Sequence, residues 1–209
     1  MSWTTPTPST PLLKALANRH SYYTLDKTSP IPPAKITSIL ESILHNTPSA
    51  FNSQTTRTIL LLGASHDKFW TLVADSLLAK IGAERFAKTG PKINTFKAAH
   101  GTVLFYEDQL TIKEHQEKFK SYAQHFEAWS EQTSGAHQVL LWTALQAEGL
   151  GVNLQHYNPL VDSYAKEAFG VPEGWKLRAQ LVFGGVEEGI LGTGGKEKLP
   201  VEETLKVFE

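Results

Sequence analysis

Apolar positions recur at helical spacing through most of this chain and crowd into three short strand-like runs. Residues 11–18 open with Pro11 and place Leu12, Leu13 and Leu16 on one face, which predicts a short helix. Residues 32–45 set Ile36, Ile39, Leu40, Ile43 and Leu44 at the same spacing, an amphipathic helix. The apolar run 58–62 predicts a buried strand. A helix then starts at Ser65-His66-Asp67, continues through Phe69, Trp70, Leu72, Val73, Leu77 and Ile81, and is broken by Gly90-Pro91. Residues 101–106 form a second apolar strand ending at Glu107-Asp108. Residues 113–129 predict a charged and aromatic helix, and 133–148 one that is apolar nearly all round, suited to the core or a subunit interface. Small residues at Ala136, Ala144 and Ala147 permit close helix approach. Residues 151–159 are a polar–aromatic loop, or a short strand entering one. A helix over 161–169 ends at Gly170, and Leu177, Ala179, Leu181 and Phe183 alternate in a third strand over 176–184. Few strands, long helices and no internal repeat predict one α+β domain over 11–209, behind a flexible Ser/Thr/Pro-rich stretch at 1–10.

Composition narrows the function classes. With 209 residues, 41% of them hydrophobic and 20% charged, the chain can bury a sizeable core. A net charge of -1 leaves no basic excess to release phosphate counterions, which argues against nucleic acid and polybasic membrane partners. The absence of Cys excludes disulfides, thiolate zinc sites, iron–sulfur clusters and thiol nucleophiles. Neither a basic start with an apolar run nor a stretch near the roughly 20 apolar residues of a membrane span is present, so a cytoplasmic location is expected, with the nucleus also compatible.

Familiar catalytic motifs are missing. The tail 192–200 is rich in Gly and Lys but fails as a phosphate loop, because Ile190 and Glu197 stand where Gly and Ser/Thr are needed. There is no GxGxxG after a strand, no GxSxG and no HExxH, and the eight His residues are scattered, so no metal site is expected. Three polar segments remain between apolar elements: Arg19–Tyr23, Pro48–Gln54 and Gln155–Asn158. The tail adds Lys196 and Lys198. Each alone reads as a capped connector or a solvated turn. Together they supply cations for a phosphate, amide and backbone groups for a ring edge, and aromatic walls, the set a mononucleotide requires.

The order and spacing of three motifs resemble the flavin-binding segments of the nitroreductase family. These are Arg-His-Ser at 19–21, Pro-Ser-x-x-Asn-Ser-Gln at 48–54 and Lys-x-Lys-Leu-Pro at 196–200. Leu-Gln-His-Tyr-Asn-Pro at 154–159 is similar to a short bacterial and fungal subfamily, whose fungal members are linked to fatty-acid regulation and oxidative stress. The resemblance implies a homodimer of α+β subunits, each with a central, mainly antiparallel sheet flanked by helices, a C-terminal segment swapped onto the partner, and two FMN at the interface. It implies that Arg19, Lys196 and Lys198 hold the phosphate, that Ser21 assists there or at the pyrimidine edge, and that Tyr23 lies beside the pyrimidine end, with His20 in the same cofactor-binding segment. It also implies that Pro48, Ser49, Ala50, Asn52 and Gln54 touch the flavin bound mainly by the other subunit, and that Gln155, His156, Tyr157 and Asn158 line the ring near N5. Many larger members carry Lys where this chain has Tyr23, and Thr55-Thr56 follows Gln54 in place of Pro and an aromatic. The implied activity is reduction of nitroaromatic or quinone acceptors by NADH or NADPH through flavin N5, with no covalent side-chain catalyst. The alternative is a flavin-binding regulatory or stress-response protein with incidental turnover. Phe119, Tyr122, Phe126 and Trp129 recur at helical spacing and read equally as a substrate lid or as core.

Overall fold

The computed structural model describes residues 9–187, 192–193 and 197–209. Four strands form one antiparallel sheet in the order β1-β2-β4-β3: β1 (Thr56–Leu62), β2 (Gly101–Asp108), β3 (Gly151–Gln155) and β4 (Trp175–Gly184). Ile59 pairs with Leu104, Val103 with Leu181, and Asn153 with Val182. The central strand β2 is buried on both faces, which is why it reads as a continuous apolar run instead of an alternating one. On one face Leu104, Tyr106 and Val182 meet Phe69, Trp70, Ile93 and Phe96. On the other Val103, Phe105 and Leu181 meet Ile36, Leu40, Leu141 and Leu145. The first group of helical partners comes from α3 (Gly63–Ile81) and α4 (Ala83–Lys97), the second from α2 (Pro33–Asn46) and α6 (Phe126–Ala147). The α+β architecture with a flanked antiparallel sheet is therefore as expected; α1 (Thr10–Asn18), α5 (Gln109–Lys118), α7 (Asp162–Phe169) and α8 (Val201–Thr204) complete it.

Three boundaries differ from the sequence reading. The break after α3 falls at Gly82, whose φ of 77° favours glycine, and α4 then runs through Gly90-Pro91. Pro91 is exposed, and a proline in a helix interior costs about 3 kcal/mol. Immediately beyond it Ile93 and Phe96 are fully buried, worth roughly 1.5–3 kcal/mol each, so packing outweighs the lost donor. The expected helix 113–129 is interrupted at Phe119, followed by a 3-10 segment at Lys120–His125. The long apolar helix consequently begins at Phe126, not Thr133. That helix buries Leu141 and Leu145 but leaves Val139 and Leu140 exposed, an apolar flank without cover on a single chain.

Candidate active site

Arg19 caps the C-terminus of α1, where chain direction changes and the peptide units of the helix place partial negative charge. Its guanidinium lies 4.4 Å from the centre of the Trp142 ring on α6, within cation–π range. Among the described residues Arg19 joins no ion pair. The following residues are fixed by the same helix. The His20 N–H donates to Gln146 Oε1 at 2.9 Å, and both Gln146 Nε2 and Trp142 Nε1 donate to the His20 carbonyl. Tyr22 then joins the edge of β3, donating to the Val152 carbonyl and accepting from Asn153 Nδ2. Thr193 donates to the Ser21 carbonyl at 2.8 Å and so ties the tail back to the start of the chain.

The result is a cavity of about 610 Å³ lined by Arg19, His20, Ser21, Gln138, Trp142, Thr193 and Lys198. Four of the predicted phosphate-side residues thus share one space; Lys196 lies outside the described residues. Two cations facing a cavity ringed by hydroxyls and an amide fit the phosphate and ribityl end of a flavin mononucleotide. Trp142, Gln146 and Thr193 were not foreseen. Gln138, Trp142 and Gln146 recur every four residues on α6, and that spacing was the available signal.

The Pro48–Gln54 loop is placed elsewhere. Ser49, Gln54, Arg57, His137 and Trp175 line a second cavity of about 350 Å³. The loop closes on itself: Gln54 N–H donates to Ser49 Oγ at 2.9 Å, and Arg57 donates to the Gln54 carbonyl while also bonding Asp108 and Thr111. His137 Nδ1 donates to the Thr133 carbonyl, and burial holds its pKa below the usual value, so a neutral ring faces this cavity. At and just after a 3-10 segment at Ala50–Asn52, Phe51, Asn52 and Gln54 have φ values of 55°, 53° and 45°. Pro48, Asn52 and Gln54 are exposed. Among the described residues none of Pro48–Gln54 lines the cavity that holds Arg19.

At the third segment the ring of Tyr157 turns into the core, edge-on to Trp70 at 5.7 Å and near Phe96, and burial raises its pKa. The Tyr157 N–H is occupied, donating to Gln180 Oε1 at 2.7 Å, and Gln180 Nε2 reaches Asn158 Oδ1. Gln155 is buried on Asn153, leaving His156 as the exposed side chain of the segment. Tyr23 is half-exposed, with Lys92 Nζ 5.7 Å from its ring. Phe119, Tyr122, Phe126 and Trp129 do gather, and Phe126 is buried as a core residue; their common neighbour is Phe51, which sequence reasoning missed.

Among the described residues no cluster of His, Asp or Glu could hold a metal ion, and no helix is long and apolar enough to cross a membrane.

Known proteins bear on this geometry. Residues 16–185 match the family described as nitroreductase. HBN1 of Saccharomyces cerevisiae is 38% identical over 176 residues, covering 82% of this chain and 86% of that protein. The nitroreductase CinD from Lactococcus lactis, solved with nicotinic acid, is 41% identical, with a TM-score of 0.87 over 95% of this chain and 100% of that one. CinD has also been solved with chloramphenicol and with 4-nitrophenol. The FMN-dependent nitroreductase NfnB from Mycobacterium smegmatis, solved with NADPH, is 14% identical with a TM-score of 0.72 over 97% of this chain and 100% of that one, a likeness of fold.

Proposed function

The chain belongs to the nitroreductase family, and from that membership we propose an FMN-dependent oxidoreductase that takes hydride from NADH or NADPH and passes it to nitroaromatic or quinone acceptors. The observation that carries the reading is the Arg19 guanidinium, without an ion-pair partner among the described residues, held on Trp142 and facing one cavity with Ser21, Thr193 and Lys198. The guanidinium is placed there by three hydrogen bonds between α6 and its neighbour His20, an arrangement suited to a dianion. The bound flavin would supply the hydride-carrying chemistry at N5. The protein's part is positional: Arg19 and Lys198, with Lys196, hold the phosphate; Ser21 lies beside it; and the Gln155–Asn158 segment lies on the ring side.

The two separate cavities support a shared site in a homodimer, where the Ser49–Gln54 wall of one subunit covers the flavin of the other. Exposed Leu12 and Leu16 on α1 and Val139 and Leu140 on α6 give the apolar surface for such an interface, and Leu205, Val207 and Phe208 give a tail able to lie on the partner. Nicotinic acid in CinD supports a nicotinamide-type donor, and chloramphenicol and 4-nitrophenol there support nitroaromatic acceptors. In the test, purified protein is titrated with FMN and followed by its absorption and fluorescence. Arg19→Ala removes a charge-assisted contact worth roughly 1.5–3 kcal/mol, so FMN affinity falls about tenfold to a hundredfold. Unchanged affinity in that variant would falsify the phosphate assignment, and a protein that never binds FMN would overturn the whole reading.

A further inference from the structure

Phe51 combines three properties that rarely coincide. Its backbone is in the left-handed region, at φ 55° and ψ 24°, which is unfavourable for a bulky residue with a Cβ. Its ring lies 4.7 Å from Phe119, 5.3 Å from Tyr122, 5.7 Å from Phe126 and 5.7 Å from Trp129, nearly parallel to the last at 27°. Even so, the residue remains 46% exposed. A ring serving only as a packing pin would be expected to reach the burial of Phe126, which is 1% exposed. Here four aromatic neighbours back the ring, and the remainder of it is exposed on the single chain, as is Tyr122 at 48%. The immediate neighbours of Phe51 are Ala50 and Asn52 of the proposed flavin wall.

We propose that Phe51 is a specificity-determining residue whose open ring stacks a planar aromatic acceptor against the site, so that the protein selects aromatic over non-aromatic acceptors. Offset stacking on a preorganised ring needs no reordering of the side chain, because four neighbouring rings already fix it. The inference rests on the flavin-site reading above.

The experiment measures the dissociation constant of 4-nitrophenol for the oxidised, FMN-loaded protein by perturbation of the flavin absorption band. Wild type, Phe51→Leu and Phe51→Tyr are compared, with FMN content determined for each. Leu retains apolar bulk but loses the ring face, so the constant should rise about fivefold to tenfold at full FMN content, whereas Tyr should stay within about twofold of wild type. Equal binding by all three would overturn the proposal, as would equal weakening by Leu and Tyr, which would mark Phe51 as a lid support. FMN-loaded wild type that does not bind 4-nitrophenol would overturn this inference alone. Wild type that holds no FMN would overturn it together with the reading beneath it.

Discussion

Phe51, Asn52 and Gln54 place three non-glycine residues of one short loop at positive φ. Such a backbone costs an L-residue roughly 1–2 kcal/mol, least for Asn, and persists only where the surroundings over-determine it. Here the surroundings are identifiable: Gln54 N–H is bonded to Ser49 Oγ, its carbonyl to Arg57, and Phe51 is gripped by four rings. The side chain of Gln54 contributes little to stability, since its one hydrogen bond among the described residues is at 3.4 Å to the Asn52 carbonyl. Gln54→Gly keeps both backbone bonds and relieves the strain, while glycine adds about 0.4–1 kcal/mol of unfolded-state entropy. The net expectation is a gain of roughly 0.5–1 kcal/mol, read as a higher urea midpoint at unchanged slope. The same variant should bind FMN severalfold more weakly, because a loop that samples more conformations presents its wall less often. A lower urea midpoint would show that the left-handed backbone at Gln54 is not strained.

Among elements, the junction of α3 with β2 carries a pH dependence. His66 is fully buried; its Nε2 faces the Lys97 carbonyl at 3.2 Å, which can only accept, so Nε2 carries the proton. Its Nδ1 then accepts from Thr102 Oγ1 at 3.0 Å, and Thr102 in turn accepts from Trp70 Nε1 at 2.9 Å. That wiring is complete only for neutral imidazole, and burial, with the charge of Lys27 nearby, lowers the pKa to about 4. Because the folded pKa lies below the unfolded one, stability is full above about pH 6.5 and falls as the pH drops toward 4. A loss of roughly 2 kcal/mol from this group is expected between pH 6.5 and 4.5. Chemical denaturation across that range should show a flatter profile for His66→Gln; an identical slope would sink the assignment. The elements themselves were largely legible, because β2 is an apolar run, β4 alternates and α2 keeps its helical period. What sequence could not reveal came from tertiary contact. Phe119 breaks a helix by turning toward Phe51, which lies far away in sequence, and Pro91 is tolerated because Ile93 and Phe96 anchor the helix beyond it. Of the candidate site, Arg19–Ser21 and Lys198 were legible as parts of one cavity, while the other polar segments lie apart from it on a single chain. The Trp142–Gln146 face of α6 was concealed by the apolar composition around it, and the inward turn of Tyr157 was set by Trp70 and Phe96.

At the scale of the whole molecule, the cations and the loop occupy different cavities of one chain, so the proposed flavin site is complete only when two chains meet. In the proposed homodimer this arrangement would couple ligand binding to assembly. If contact with the partner's Ser49–Gln54 wall strengthens each flavin by some factor, linkage requires the flavin to strengthen the dimer equally, and two sites per dimer multiply the effect. A tenfold gain per site, about 1.4 kcal/mol, would tighten the dimer roughly a hundredfold. Sedimentation velocity over a dilution series, with and without saturating FMN, measures this directly. The flavin-free protein should dissociate at about a hundredfold higher concentration than the loaded protein. The apolar flank at Val139 and Leu140 could hold a dimer by itself, so a flavin-free dimer at high concentration is compatible with the scheme. The decisive comparison is the shift between the two curves. Coincident curves, or a monomer that binds FMN as tightly as the dimer does, would mean that the loop serves its own chain and that the two cavities are unrelated.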